Sequence, residues 1–208
     1  MNAESRQAHW EKVYTTKGEK EVGWFQENPA PSLDLIVKAG TTTASALIDV
    51  GGGASRLVDA LIAKGFRAVT VLDLSEAAVG AAKARLGRRA DQVQWIVTDV
   101  TVWEPQAAVY DVWHDRAAFH FLTEDRDRMA YVARLAKAVK PGGHAIIGTF
   151  ALDGPEQCSG LPVARYDAQS LGRELGDAFE LVETLSHEHR TPSGSEQRFQ
   201  FSVFRHRA

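Results

Sequence analysis

The stretch LIDVGGGASRL, residues 47–57, decides the fold. It is an apolar run closing on an acid, then three glycines, then a small polar residue that enters a helical pattern. A strand, a glycine turn and a helix in that order open many nucleotide-binding α/β units. The register of the turn narrows the ligand. A dinucleotide loop wants G-x-G-x-x-G, and counted from Gly51 the chain reads G-G-G-A-S-R, with Arg56 in the final glycine position. Close helix–strand packing leaves no room there for an arginine. A P-loop is excluded because no Gly-Lys-Ser/Thr follows. What remains is D-x-G-x-G-x-S, with Asp49 two residues before Gly51, and that acid suits a ligand carrying positive charge near the turn. A glycine turn that only directs the chain is the plainer alternative for the loop taken alone.

Outward from this stretch, apolar β-rich runs alternate with helical patterns. Strands are expected over 44–50, 67–74, 92–100, 108–114 and 143–151, nearly continuous in apolar residues as in parallel strands covered on both faces. Helices are expected over 55–65, 76–87 and 123–140. In the last, Met129, Val132, Leu135, Ala136 and Val139 share helical spacing, Thr123 is the expected N-cap, and Pro141-Gly142-Gly143 the stop. Gly65 and Gly87 occupy C-cap positions. A weaker helix over 168–176 precedes runs at 179–191 and 197–206, joined by PSGSE and alternating as an antiparallel hairpin.

The expected fold is therefore an α/β Rossmann-like sheet of seven strands, mostly parallel with an antiparallel C-terminal hairpin, and helices on both faces. One domain over 1–208 is expected, divided into an N-terminal helical lid or extension (1–40), a cofactor-binding core (41–151), and a substrate loop with the hairpin (152–208). The 208 residues are 44% hydrophobic and 25% charged with a net charge of −3, which argues against nucleic acid as the main partner. No apolar run approaches a membrane span and no secretory h-region is visible. The single cysteine, Cys158, excludes an internal disulfide and a multi-cysteine zinc site. A cytoplasmic protein without a metal site is expected, with the oligomeric state open; His187 and His189 are a weak metal pair at best.

Two further acids stand where Asp49 stands, at the carboxyl ends of strands. Asp73 ends the second strand, twenty residues after Gly53, where a carboxylate accepts ribose hydroxyls; Asp99 ends the third, where a side-chain oxygen can meet an adenine amino group. With IDVGGGAS, VLDLSEAAV, VTDVT, YDVWHDRAAFHF and LAKAVKPGGHAIIGTF, the chain resembles the class I S-adenosylmethionine-dependent methyltransferases over residues 40–151, in the thiopurine methyltransferase-like, small-molecule group. Ser55 departs from that family's D/E-x-G-x-G-x-G at the third glycine. The resemblance implies S-adenosylmethionine as cofactor and S-adenosylhomocysteine as product. It places Asp49 and Gly51, Gly52 and Gly53 around the methionine moiety, Asp73 with Leu74 at the ribose, Asp99 with Val100 at the adenine, and His114 beside them.

The transfer site is expected in YDVWHDRAAFHFLTEDRDR (110–128), with strand four ending at His114. Asp115 can hold the cofactor or orient an acceptor. Arg116 can bind an acceptor carboxylate bidentately or neutralise Asp115. His120 is a candidate general base or a satisfied buried histidine. A similar D-K-G-T motif in one group of protein lysine methyltransferases keeps that substrate class open. The N-terminal segment rich in Trp10, Tyr14, Trp24 and Phe25 is expected to fold over the cofactor, through Trp24 and Phe25 above all. Cys158, Arg165 and Tyr166 in the 152–167 loop are candidate substrate contacts. The expected activity is methyl transfer to a small-molecule S, O or N nucleophile. Protein lysine methylation and a non-catalytic cofactor-binding module are the alternatives, and a nicotinamide-dependent oxidoreductase is disfavoured by Arg56.

Overall fold

A computed structural model describes residues 3–207; Met1 and Asn2 of the expected extension, and Ala208, lie outside the described residues. The chain runs α1 (Ala3–Thr16), α2 (Ala30–Lys38), β1 (Ala46–Val50), α3 (Leu57–Ala63), β2 (Ala68–Asp73), α4 (Glu76–Leu86), β3 (Val93–Val97), β4 (Tyr110–Arg116), α5 (Asp125–Ala138), β5 (Val139–Phe150), β6 (Gln157–Cys158), β7 (Leu161–Pro162), α6 (Ala168–Leu175), β8 (Phe179–Arg190) and β9 (Glu196–His206). Seven strands form one sheet in the order β3-β2-β1-β4-β5-β9-β8. The first five are parallel, and β9 pairs antiparallel with both β5 and β8. This is the expected architecture, with a short antiparallel pair, β6–β7, added inside the 152–167 loop.

Parity explains how continuously apolar strands serve two cores. On β1, Leu47 joins a core with Leu57, Leu61 and Val69, while Ile48 faces the opposite core with Trp113, Tyr131 and Leu135. On β4, Val112 and Trp113 divide in the same way. The strand order reverses beside β1, so the chain beyond β1 and β4 passes to opposite faces of the sheet, to α3 and α5, and leaves the crevice in which such sheets bind ligands.

Four local expectations are corrected. The N-cap of α5 is Glu124 without a side-chain cap bond, one residue beyond Thr123. Its buried face is Asp127, Tyr131, Leu135 and Ala138, and Met129 is 71% exposed. The helix stops at Ala138, and Val139 already pairs with Tyr110; Pro141-Gly142-Gly143 then forms an irregularity within β5, where the register shifts between Tyr110 and Val112. Strand β4 also runs two residues past His114, to Arg116.

Candidate functional site

The glycine turn is shaped by what approaches it. Gly51 has φ +70°, and a Cβ there would lie 2.6 Å from the Cβ of Ala118, on the turn after β4. A Cβ on Gly52 would fall 2.5 Å from Asp49 Oδ2. Neither position has space for a side chain, so the turns after β1 and β4 meet at backbone distance. Ser55, in the position of the third glycine, starts α3 by accepting the Leu57 N–H on its Oγ (3.1 Å). Arg85 on α4 braces the outer side by donating to the carbonyls of Ala54 (3.0 Å) and Ser55 (2.8 Å) while pairing with Asp59. Arg56 turns outward: its Nε meets Glu19 Oε1 at 2.7 Å and its guanidinium lies over Phe25.

Asp49 and Asp73 lie at the carboxyl ends of β1 and β2, whereas Asp99, expected to end the third strand, stands two residues past the end of β3. His114, directly beside Asp49 in the β1–β4 register, donates from Nδ1 to Asp49 Oδ1 (2.7 Å); Asp49 Oδ2 and His114 Nε2 are buried without partners. Asp73 accepts the Ser75 N–H on Oδ1 (2.8 Å), and burial pushes its carboxyl up to about 7. Asp99 accepts the N–H and hydroxyl of Thr101 on Oδ1 (2.8 and 2.7 Å).

A cavity of about 710 Å³, its open mouth included, lies against Gly51, Asp73, Leu74, Asp99 and Val100. Its other walls are Arg6, Trp10 and Tyr14 from α1, Trp24, the β4 turn from Arg116 to Ala118, Phe121, Leu122, and Cys158. A smaller adjoining recess gathers Asp49, Gly52, Ser55, His114 and Arg116. Gly53 lies beneath, against Asp73 and Ala78.

The N-terminal cover is tied down by groups that reading the sequence missed. Arg6 donates from Nε to Asp99 Oδ2 (3.0 Å), from Nη1 to Asp127 Oδ2 (2.5 Å) and from Nη2 to Thr101 Oγ1 (3.2 Å), all of them buried. Glu11 accepts from Ser75 Oγ and from the Ala77 N–H at the start of α4. Trp10 packs edge-on against Trp24 and Phe121, and Trp24 Nε1 donates to the Tyr14 hydroxyl at 3.2 Å. Burial raises the Tyr14 phenol, and the charge of Asp73 adds to the shift. Trp24 faces the cavity as expected, whereas Phe25 packs outside it against Lys20 and Arg56.

The transfer-site candidates divide. Asp115 is fully buried and turned from the cavity: Oδ1 accepts the Ala118 N–H (2.8 Å), and Oδ2 accepts the Phe119 N–H (3.0 Å) and the Tyr131 hydroxyl (2.7 Å). Burial pushes its carboxyl up to about 6 against these bonds. Asp115 therefore shapes the turn and has no oxygen left for an acceptor. His120 is fully buried. Its Nδ1 accepts the Phe150 N–H (3.4 Å), which puts the ring proton on the partnerless Nε2, and burial with the charge of Arg116 lowers it to about 3. Tyr166 packs on Phe119 in the core, and Arg165 pairs with Glu156, so neither reaches the cavity. Cys158 does line it, as a thiol that burial pushes up to about 11.

Arg116 is not the partner of Asp115. Its Nη1 donates to the Trp24 carbonyl (2.9 Å), its Cζ lies 4.9 Å from the centre of the Phe199 ring, and its Nε and Nη2 are buried without partners. Burial lowers it to about 10. Strand parity could have separated these residues: Asp115 shares its face with Trp113, and Arg116 shares the opposite face with His114.

Among the described residues no group of three or more metal-ligating side chains occurs, and no helix is long and apolar enough to cross a membrane. Residues 47–143 match a family model described as a methyltransferase domain. No curated protein matches the sequence. Among solved structures, the chain is similar to an S-adenosylmethionine-dependent methyltransferase from Anabaena variabilis, at 16% identity and TM-score 0.76 over 100% of this chain and 96% of that one. It is also similar to the 1,6-didemethyltoxoflavin-N1-methyltransferase of Burkholderia thailandensis with bound 1,6-didemethyltoxoflavin and S-adenosylhomocysteine, at 19% identity and TM-score 0.72 over 100% and 92%. The N-methyltransferase NodS from Bradyrhizobium japonicum, in complex with S-adenosylhomocysteine, matches at 17% identity and TM-score 0.72 over 96% and 98%. Residues 47–143 thus match a methyltransferase domain, and the chain has the Rossmann-like fold of these methyltransferases.

Proposed function

We propose that this enzyme methylates a small molecule in the cytoplasm, with residues 41–151 as cofactor core and the segments on either side closing the acceptor cavity. The observation that carries this reading is the enclosure: Trp10, Tyr14 and Trp24 cover the cavity from the N-terminal side, and the loop bearing Cys158 closes it from the other. The Burkholderia neighbour, whose structure holds 1,6-didemethyltoxoflavin, agrees with a small acceptor.

When bound, S-adenosylmethionine supplies a methyl group on a cationic sulfur. Asp49, with Oδ2 free, would offer negative charge to the methionine ammonium; Asp73 would offer its carboxylate to the ribose hydroxyls; the backbone of Val100 would offer a donor to the adenine, beside Asp99, whose oxygens already accept from Thr101 and Arg6. Transfer to an acceptor's lone pair would break the carbon–sulfur bond and leave the sulfur neutral, removing the charge that the acidic edge faces. With Asp115 turned away and His120 held as a neutral donor, neither candidate base serves the reaction. Catalysis is then alignment of the reactants in a dry aromatic cavity, which suits a nucleophile arriving with its lone pair free. Incubating the protein with methyl-labelled S-adenosylmethionine and a cell extract tests this. Label is expected in the small-molecule fraction, and label confined to polypeptide would establish the protein lysine alternative instead.

A further inference from the structure

The two arginines lining the cavity are treated differently by the fold. Arg6 is paired with Asp99 and Asp127. Arg116 forms no ion pair within 4 Å among the described residues; a backbone carbonyl and an aromatic face contact it, and Asp49 reaches it only through its charge. Its two partnerless nitrogens, Nε and Nη2, are adjacent on one edge of the guanidinium and shielded from water. That edge is the fork a carboxylate accepts with both oxygens. Leaving a buried guanidinium without a counterion is unfavourable unless a ligand provides one. No side chain at hand bonds to that edge: Asp49 acts on the guanidinium only through its charge across the adjoining recess, Cys158 is a neutral thiol and Asp115 faces the other core.

We propose that the methyl acceptor carries a carboxylate, which docks bidentately on the Nε/Nη2 edge of Arg116. The proposal rests on the small-molecule reading above. It also accounts for the position of Arg116, which sits where β4 meets the Cys158 loop and the C-terminal hairpin, outside the Asp73–Asp99 side of the cavity. The competing source of a carboxylate is the methionine end of the cofactor, because Arg116 also borders the recess containing Asp49 and His114.

The test is calorimetry on the full chain saturated with S-adenosylhomocysteine, using matched probes: acetate and acetamide, benzoate and benzamide, 4-mercaptobenzoate and 4-mercaptobenzamide. At least one acid is expected to bind about tenfold or more tighter than its amide, the scale of a charge-assisted bidentate pair. Arg116→Met should abolish that preference, and Arg116→Lys, which keeps charge without the fork, should restore only part of it. Both variants should retain wild-type affinity for S-adenosylhomocysteine, which also reports that they fold. Equal binding of acid and amide in every pair, or a preference surviving in Arg116→Met, overturns the proposal. So does a loss of about tenfold or more in S-adenosylhomocysteine affinity in both variants, which would give the guanidinium to the cofactor's carboxylate. Failure of the small-molecule reading would show separately, as methyl label on polypeptide.

Discussion

Replacing Asp73 by asparagine should make the ligand-free protein more stable while weakening its hold on the cofactor. The carboxyl is 7% exposed and pushed up to about 7 from an ordinary 3.8, chiefly by burial. A carboxylate raised in the folded state opposes folding once ionised, so stability falls as pH rises from 3.8 toward 7 and stays low above it. About 3 pH units at 1.36 kcal/mol each set a ceiling of about 4 kcal/mol on that opposition at pH 8. About 2.5 kcal/mol of it should disappear between pH 8 and pH 5 as Asp73 takes up its proton. The asparagine side chain is neutral throughout, and its amide oxygen can still accept the Ser75 N–H. Denaturant unfolding of both proteins at pH 8 and pH 5 gives the comparison. Asp115, also raised, titrates in the same direction in each, so the difference between them isolates Asp73. The variant should be about 2–4 kcal/mol more stable at pH 8, with a gap that narrows at pH 5. It should bind S-adenosylhomocysteine about tenfold or more weakly at pH 8, since an amide cannot accept from both ribose hydroxyls as a carboxylate does. A variant less stable than wild type at pH 8, or a gap independent of pH, would refute the reasoning.

Two more substitutions probe the walls of the site. Gly51→Ala forces a left-handed alanine against Ala118 and should cost about 2–4 kcal/mol by chemical denaturation; a loss under about 0.5 kcal/mol would mean the two turns part freely. Arg6→Met leaves the buried carboxylates of Asp99 and Asp127 without their cation and should cost about 3 kcal/mol, read in the same way; an unchanged unfolding midpoint would show that α1 does not depend on this contact.

The sheet was legible because each strand is bounded by its own turn chemistry, and because Asp49, Asp73 and Asp99 mark one edge of it. Where the reading failed, the deciding contacts were distant in the chain. Arg6 meets Asp99 across 93 residues, and nothing near Arg6 distinguishes it from an arginine on a solvated helix. Thr123 and Pro141 carry the right local signals for ends of α5, yet pairing of Val139 with Tyr110 takes over first and ends the helix early. Asp115 and Arg116 are neighbours whose side chains leave opposite faces of β4. The motif was visible, and the division of labour within it depended on strand parity.

The close approach of Gly51 to Ala118 also bears on how such an enzyme can diversify. With the donor turn and the β4 turn in contact, neither can drift to suit a new acceptor without displacing the other. Room for change lies in the segments that arrive from elsewhere, the aromatic cover around Trp24 and the β6–β7 loop with Cys158, which can be redrawn while the chemistry stays in register. A scaffold joined at that one point would keep its reaction and exchange its substrates.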